Sequence, residues 1–167
     1  MKNQDLKVSI YVANSILVLA KKQKIEINPI KLYNMVYLVY GEYLYETKNK
    51  LFNELFEVTK VGPVLPSILY KFNCYDDSNI KFFAANSLGN IKYYRNEKIY
   101  GDIVNKILNE YKDYSKEDII QFTTNENSAY FKAKLNNNLT LTDIDILNEV
   151  IFRKNNEVKR QKKYVKQ

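Results

Sequence analysis

Asn28-Pro29-Ile30-Lys31-Leu32-Tyr33-Asn34-Met35-Val36-Tyr37-Leu38-Val39-Tyr40 is the stretch that decides how this chain folds. Asn can cap a helix through its side-chain oxygen, and Pro fits the first helical position, where its missing N–H is not needed. The pattern predicts a helix from Pro29 to about Lys48. Ile30, Tyr33, Val36, Tyr37, Tyr40 and Leu44 line it, and it is apolar nearly all round. A helix without a polar face belongs at the centre of a core. The chain is therefore expected to be a compact, mostly α-helical domain built around this segment.

Working outward, Val8, Val12, Ile16, Leu19 and Ala20 recur at helical spacing and predict a first helix over residues 5–24, closed by Lys21, Lys22 and Lys24. After the central helix, Gly62-Pro63 and Pro66 break the chain. Residues 56–59 read as a short strand or an extended turn, and Pro66 opens a short helix ending near Phe72. The apolar runs 80–83 and 91–94 flank a turn containing Gly89 and are expected to pair as one small β-hairpin. Residues 97–113 read as a helix. Ser115, with Asp118 three residues on, marks the start of the next. A short helix is expected over 130–135. A last one opens at Thr142 with Asp143 and Asp145 in its first turn and carries Ile144, Leu147 and Ile151.

The 167 residues make one domain over 1–152 and a basic end over 153–167. The net charge of +7 is concentrated in that end, which carries seven basic residues against Glu157, while residues 1–152 are near neutral at +1. Lys159, Arg160, Lys162 and Lys163 are the candidate contacts to phosphate, nucleic acid or another anion. A solvated helix end explains them more simply. No segment approaches the roughly 20 apolar residues of a membrane span, and no signal peptide is recognisable at the start. A cytoplasmic protein is expected.

The chain has no His, no Trp and a single cysteine, Cys74. This excludes Ser-His-Asp and Cys-His catalytic sets, His-ligated metals, multi-cysteine zinc sites and an intramolecular disulfide. No Walker loop and no G-x-G-x-x-G occurs. Asp76-Asp77 and Asp143-x-Asp145 are paired carboxylates, but a turn and a helix start account for them. Cys74 reads as a buried or inert thiol. No enzyme activity and no cofactor is expected.

One ordered set of motifs remains: Val12-Ala13-Asn14-Ser15-Ile16-Leu17, Ile27-Asn28-Pro29-Ile30-Lys31-Leu32, Val36-Tyr37-Leu38, Gly41-Glu42-Tyr43-Leu44, Val61-Gly62-Pro63-Val64-Leu65-Pro66 and Tyr70-Lys71-Phe72. In this order it resembles the Panacea domain, the family of GepA-like phage-associated proteins and SocA-like antitoxins and proteolytic adaptors. The likeness covers about residues 8–72. It makes Pro29, Leu32, Tyr37, Gly62, Pro63, Val64 and Pro66 family-motif structural positions. The chain departs from the pattern at four positions. Asn34 replaces a lysine, Thr59 a tryptophan, Thr124 a histidine and Tyr130 a late tryptophan.

The resemblance implies an antitoxin that binds and neutralises a cognate toxin. The alternatives are a phage or mobile-element interaction protein or protease adaptor on the same fold, and a nucleic-acid binder using the basic end. Tyr70, Tyr93, Tyr94 and Tyr130 are the candidate partner contacts, although core packing explains an aromatic residue at each position equally well. A homodimer is compatible with the composition.

Overall fold

The structure, a computed structural model, describes residues 7–95, 97–149 and 151–152. Among these residues it is mostly helical. The elements are α1 (Ser9–Lys22), α2 (Pro29–Thr47), β1 (Glu57–Thr59), β2 (Gly62–Val64), α3 (Pro66–Phe72), α4 (Lys98–Tyr111), α5 (Lys116–Thr124), α6 (Ala129–Leu135) and α7 (Asp143–Leu147). A 3₁₀ turn, Asn73–Tyr75, follows α3. No helix among the described residues is long and apolar enough to cross a membrane.

α2 is the axis of the domain and touches α1, α3, α4, α5, α7 and β2. Its start follows the sequence logic. The Asn28 side chain accepts a hydrogen bond from the Lys31 amide at 2.9 Å, and Pro29 occupies the first turn. It ends at Lys48, which takes left-handed backbone (φ 59°) and donates its amide to the Leu44 carbonyl. Residues Leu32 to Leu44 are buried throughout. Four rings fill the space beside α2. Tyr37 meets Phe56 edge-on at 5.1 Å, and Tyr40 packs on Phe52 at 4.7 Å and on Phe56 at 5.4 Å. Phe152, from the C-terminal stretch, lies over Gly41, where any Cβ would overlap its ring. Gly41 is thus needed for this close approach.

The sheet is a hairpin of two three-residue strands at the Gly-Pro corner. β1 and β2 pair antiparallel in the register Glu57↔Val64, Val58↔Pro63, Thr59↔Gly62. Residues 139–141 run along the other side of β1. The Val58 amide donates to Leu139 and the Leu141 amide to Phe56, both at 2.9 Å.

The expected hairpin over 80–83 and 91–94 does not form; the small hairpin sits at 57–64 instead. The 80–94 segment keeps one isolated bridge, Ala85↔Ile91. Much of its remaining backbone is satisfied by side chains of α1 rather than by a strand partner. Asn14, fully buried, donates to the carbonyls of Ala84 and Lys92 and accepts from the Ala84 amide, all within 2.9 Å. Ser15 accepts from the Tyr94 amide. Three further expectations shift. α1 is described from Ser9 rather than from residue 5. α7 closes at Leu147, and residues 151–152 are again helical. Cys74 is exposed on the 3₁₀ turn rather than buried.

α5 carries a complete capping box. Ser115 Oγ accepts from the Asp118 amide at 3.0 Å while the Asp118 carboxylate accepts from the Ser115 amide at 3.1 Å. Losing an N-cap hydroxyl costs about 1 kcal/mol. Ser115→Ala should therefore lower unfolding stability by about that amount, read as the shift in urea midpoint at unchanged slope. A loss below a few tenths would show that the cap adds little here.

Candidate partner-binding surface

Three of the four positions that depart from the resembled pattern meet at the Gly62 corner. Asn34, fully buried in α2, donates its amide to the Ile30 carbonyl at 2.9 Å and to the Val61 carbonyl at 3.0 Å. Its oxygen accepts from Thr123 Oγ1, also fully buried, at 2.6 Å. Thr59 Oγ1 donates to the Gly62 carbonyl at 2.8 Å, and the Thr59 carbonyl accepts from Tyr130 Oη at 2.7 Å. Tyr130 is only 7% exposed. It belongs to the core and is corrected as a candidate contact, because its hydroxyl serves the hairpin. Thr124, half-buried, donates to the Ile120 carbonyl one turn back in α5. Asn34, Thr59 and Tyr130 thus join the corner to α2 and α6 and, through Thr123, to α5, whereas Thr124 bonds only within α5.

A second buried joint escaped the sequence reading. Glu149 is 1% exposed. Its Oε1 accepts from Tyr37 Oη and, at 2.8 Å, from the Ala129 amide at the start of α6. Its Oε2 has no hydrogen-bond partner. Burial raises its pKa to about 7, against the opposing pull of the Tyr37 and Ala129 hydrogen bonds. Glu42, in the apolar centre of α2, is fully buried and pairs with Lys106 of α4 at 2.5 Å. Lys31 sits almost wholly inside, donating to the Lys112 carbonyl at 2.6 Å. Burial lowers its pKa, and Asp113 opposes that shift. The faint signal for both was a charge inside an otherwise apolar helix. Glu149 carried none, because its partners lie 112 and 20 residues away.

The carboxylates of the Asp143-x-Asp145 pair are engaged in structural contacts. Asp143 accepts from Tyr40 at 2.7 Å and pairs with Lys50 at 3.0 Å. Asp145 caps α7 with Thr142 and pairs with Lys132.

The remaining candidate aromatics divide. Tyr93 and Tyr94 line one groove of about 590 Å³ between α1 and α4, together with Lys22, Arg95, Asp102 and Asn105. Arg95 lies over the Tyr93 ring, 4.7 Å from its centre, and hydrogen-bonds its hydroxyl. Tyr94 is more deeply committed. Its hydroxyl accepts from the Val8 amide at 2.7 Å, and its ring packs against Tyr11 and Tyr100. Tyr70 stands 77% exposed on α3 and does not line this groove. Lys159, Arg160, Lys162 and Lys163 lie outside the described residues.

Residues 32–130, well over half the chain, match the family model of the antitoxin SocA-like Panacea domain. The chain belongs to this family. The matched span runs from α2 to the second residue of α6, so it contains the Gly62 corner, the α4–α5 pair and the Tyr93–Arg95 and α4 side of the first groove, but not its α1 side. It reaches well beyond residue 72, where the resemblance of motifs ends, and it leaves α1 and Pro29 outside. The motif positions either are buried or open a helix. Leu32 and Tyr37 are fully buried, Val64 is at 1%, and Pro29 and Pro66 open α2 and α3. No curated protein and no solved structure matches the chain.

Proposed function

We propose that this Panacea domain is an antitoxin that neutralises a toxin protein by direct contact, acting by binding and not by catalysis. The family match over residues 32–130 carries the reading. What supports contact as the mode is the nature of the surface. A framework locked by buried hydrogen bonds presents an arginine stacked on a tyrosine at the edge of an open groove. Arg and Tyr are the residue types that most often dominate binding energy at interfaces, and a pre-formed framework limits the entropy lost on docking. The toxin contact is assigned to the Tyr93–Arg95 groove.

The test is co-expression with a toxin encoded beside this gene. The toxin alone should arrest growth, and the wild-type chain should restore it in a stoichiometric complex. Tyr93→Ala combined with Arg95→Glu should weaken the complex about tenfold or more, equivalent to about 1.4 kcal/mol or more, with little change in melting temperature. Full rescue by the double variant at limiting expression would remove the groove from the interface. A toxin that neither binds nor is relieved by the wild-type chain would remove the antitoxin reading.

A further inference from the structure

The Panacea domain has a second open groove, between α4 and α5, and its chemistry is unlike that of the first. It measures about 840 Å³. Glu110, Asp113 and Asp118 stand on its rim, Tyr114 and Phe122 line it, and no lysine or arginine does. The rings form a built floor. Tyr114 and Phe122 stand nearly perpendicular, at 80° and 6.0 Å, and both pack on the buried Tyr111 at 5.0 and 5.1 Å. None of the three carboxylates takes part in the ion pairs of the described residues. Of the nearby cations, Lys116 pairs with Asp77 at 2.7 Å, and the Lys31 ammonium, which feels the Asp113 charge, donates to the Lys112 carbonyl.

Three exposed carboxylates around two aromatic faces define the occupant. A nucleic acid is repelled by the rim. A small inorganic cation makes no use of the rings, and a groove of this size exceeds it. A lysine or arginine side chain fits both parts, since its apolar stem lies on the rings and its charge meets the acids. Charge complementarity of this kind also speeds encounter and orients the partner.

We propose that the α4–α5 groove docks a lysine- or arginine-bearing segment of the partner protein, with Glu110, Asp113 and Asp118 holding its cations over Tyr114 and Phe122. The inference rests on the protein-contact reading above. The full-length, isotope-labelled chain is titrated with acetyl-Lys-Arg-Leu-Lys-Arg-amide and, as control, acetyl-Glu-Glu-Leu-Glu-Glu-amide, while amide resonances are followed. The basic peptide should give saturable shifts confined to residues 110–125, and the acidic one none. Affinity should fall about tenfold in the double variant Glu110→Gln with Asp113→Asn, and fall steeply with added salt. Asp118 is kept in that variant because it caps α5. Shifts scattered over the surface, or an affinity indifferent to the double variant, overturn the proposal.

Changing Lys159, Arg160, Lys162 and Lys163 to Gln in the full chain addresses a different occupant. If this alone moves the groove resonances, the occupant is the chain's own basic end and the partner assignment fails. Intact rescue of toxin-arrested cells without peptide binding counts against the groove. Intact peptide binding without rescue counts against the antitoxin reading.

Discussion

Gly62→Ala is expected to cost about 3 kcal/mol of stability, summed from backbone strain and lost buried hydrogen bonds. Gly62 has φ 103°, a backbone that L side chains rarely adopt. A Cβ there would also lie 2.6 Å from Asn34 Oδ1 and 3.2 Å from Thr123 Oγ1. These atoms are not free to move. Asn34 is held by two carbonyls on either side, and Thr123 is bonded to it at 2.6 Å. Moving them strands buried polar groups, which is more costly than losing an exposed hydrogen bond. Urea unfolding of wild type and variant at one pH reads the effect. A loss below about 1 kcal/mol would mean that the corner is pliable and that the Asn34–Thr123 joint does not fix it.

The second large effect is a pH dependence centred on Glu149. Its pKa in the folded chain is raised to about 7 from an ordinary value of 4.5, first through burial. The folded state therefore holds a proton between these values that the unfolded state has released. Stability from this group is fully present below pH 4.5 and is lost as pH rises through about 7. Across the window the loss is about 3 kcal/mol, at 1.36 kcal/mol per pH unit. Glu149→Gln keeps a neutral side chain that can still accept from Tyr37 and Ala129. It should match the wild type near pH 5 and exceed it near pH 8. Denaturant midpoints at pH 5, 6, 7 and 8 decide the matter. Parallel profiles for the two proteins would assign the titration to another group.

The local parts of the fold were legible because local chemistry makes them. Asn28-Pro29 opens α2, Pro66 opens α3, and Ser115 with Asp118 builds the expected capping box. The central place of α2 followed from its lack of a polar face. What the sequence hid depends on partners far along the chain. The apolar runs 80–83 and 91–94 flank a turn as a hairpin would, yet Asn14 and Ser15, some 70 to 79 residues away, take up backbone groups of Ala84, Lys92 and Tyr94. Residues 57–64 have modest strand character and still pair, because Asn34, Thr123, Tyr130 and residues 139–141 clamp them from outside. The candidate surface was half legible. Tyr93 with Arg95 emerges as an accessible pair, whereas Tyr130 is drawn inward by a carbonyl that no sequence pattern connects to it.

Three of the four positions set apart in the resembled pattern share one physical setting. Asn34, Thr59 and Tyr130 converge on one corner through a set of neutral hydrogen bonds.

The central claim is that this Panacea domain works by capturing a toxin protein. The most direct measurement is an affinity pull-down of the tagged full-length chain from its native host at moderate salt, read by mass spectrometry. The account predicts one stoichiometric protein partner that arrests growth when expressed alone and ceases to do so when this chain is supplied. Recovery of nucleic acid alone, lost as the salt is raised, would contradict it.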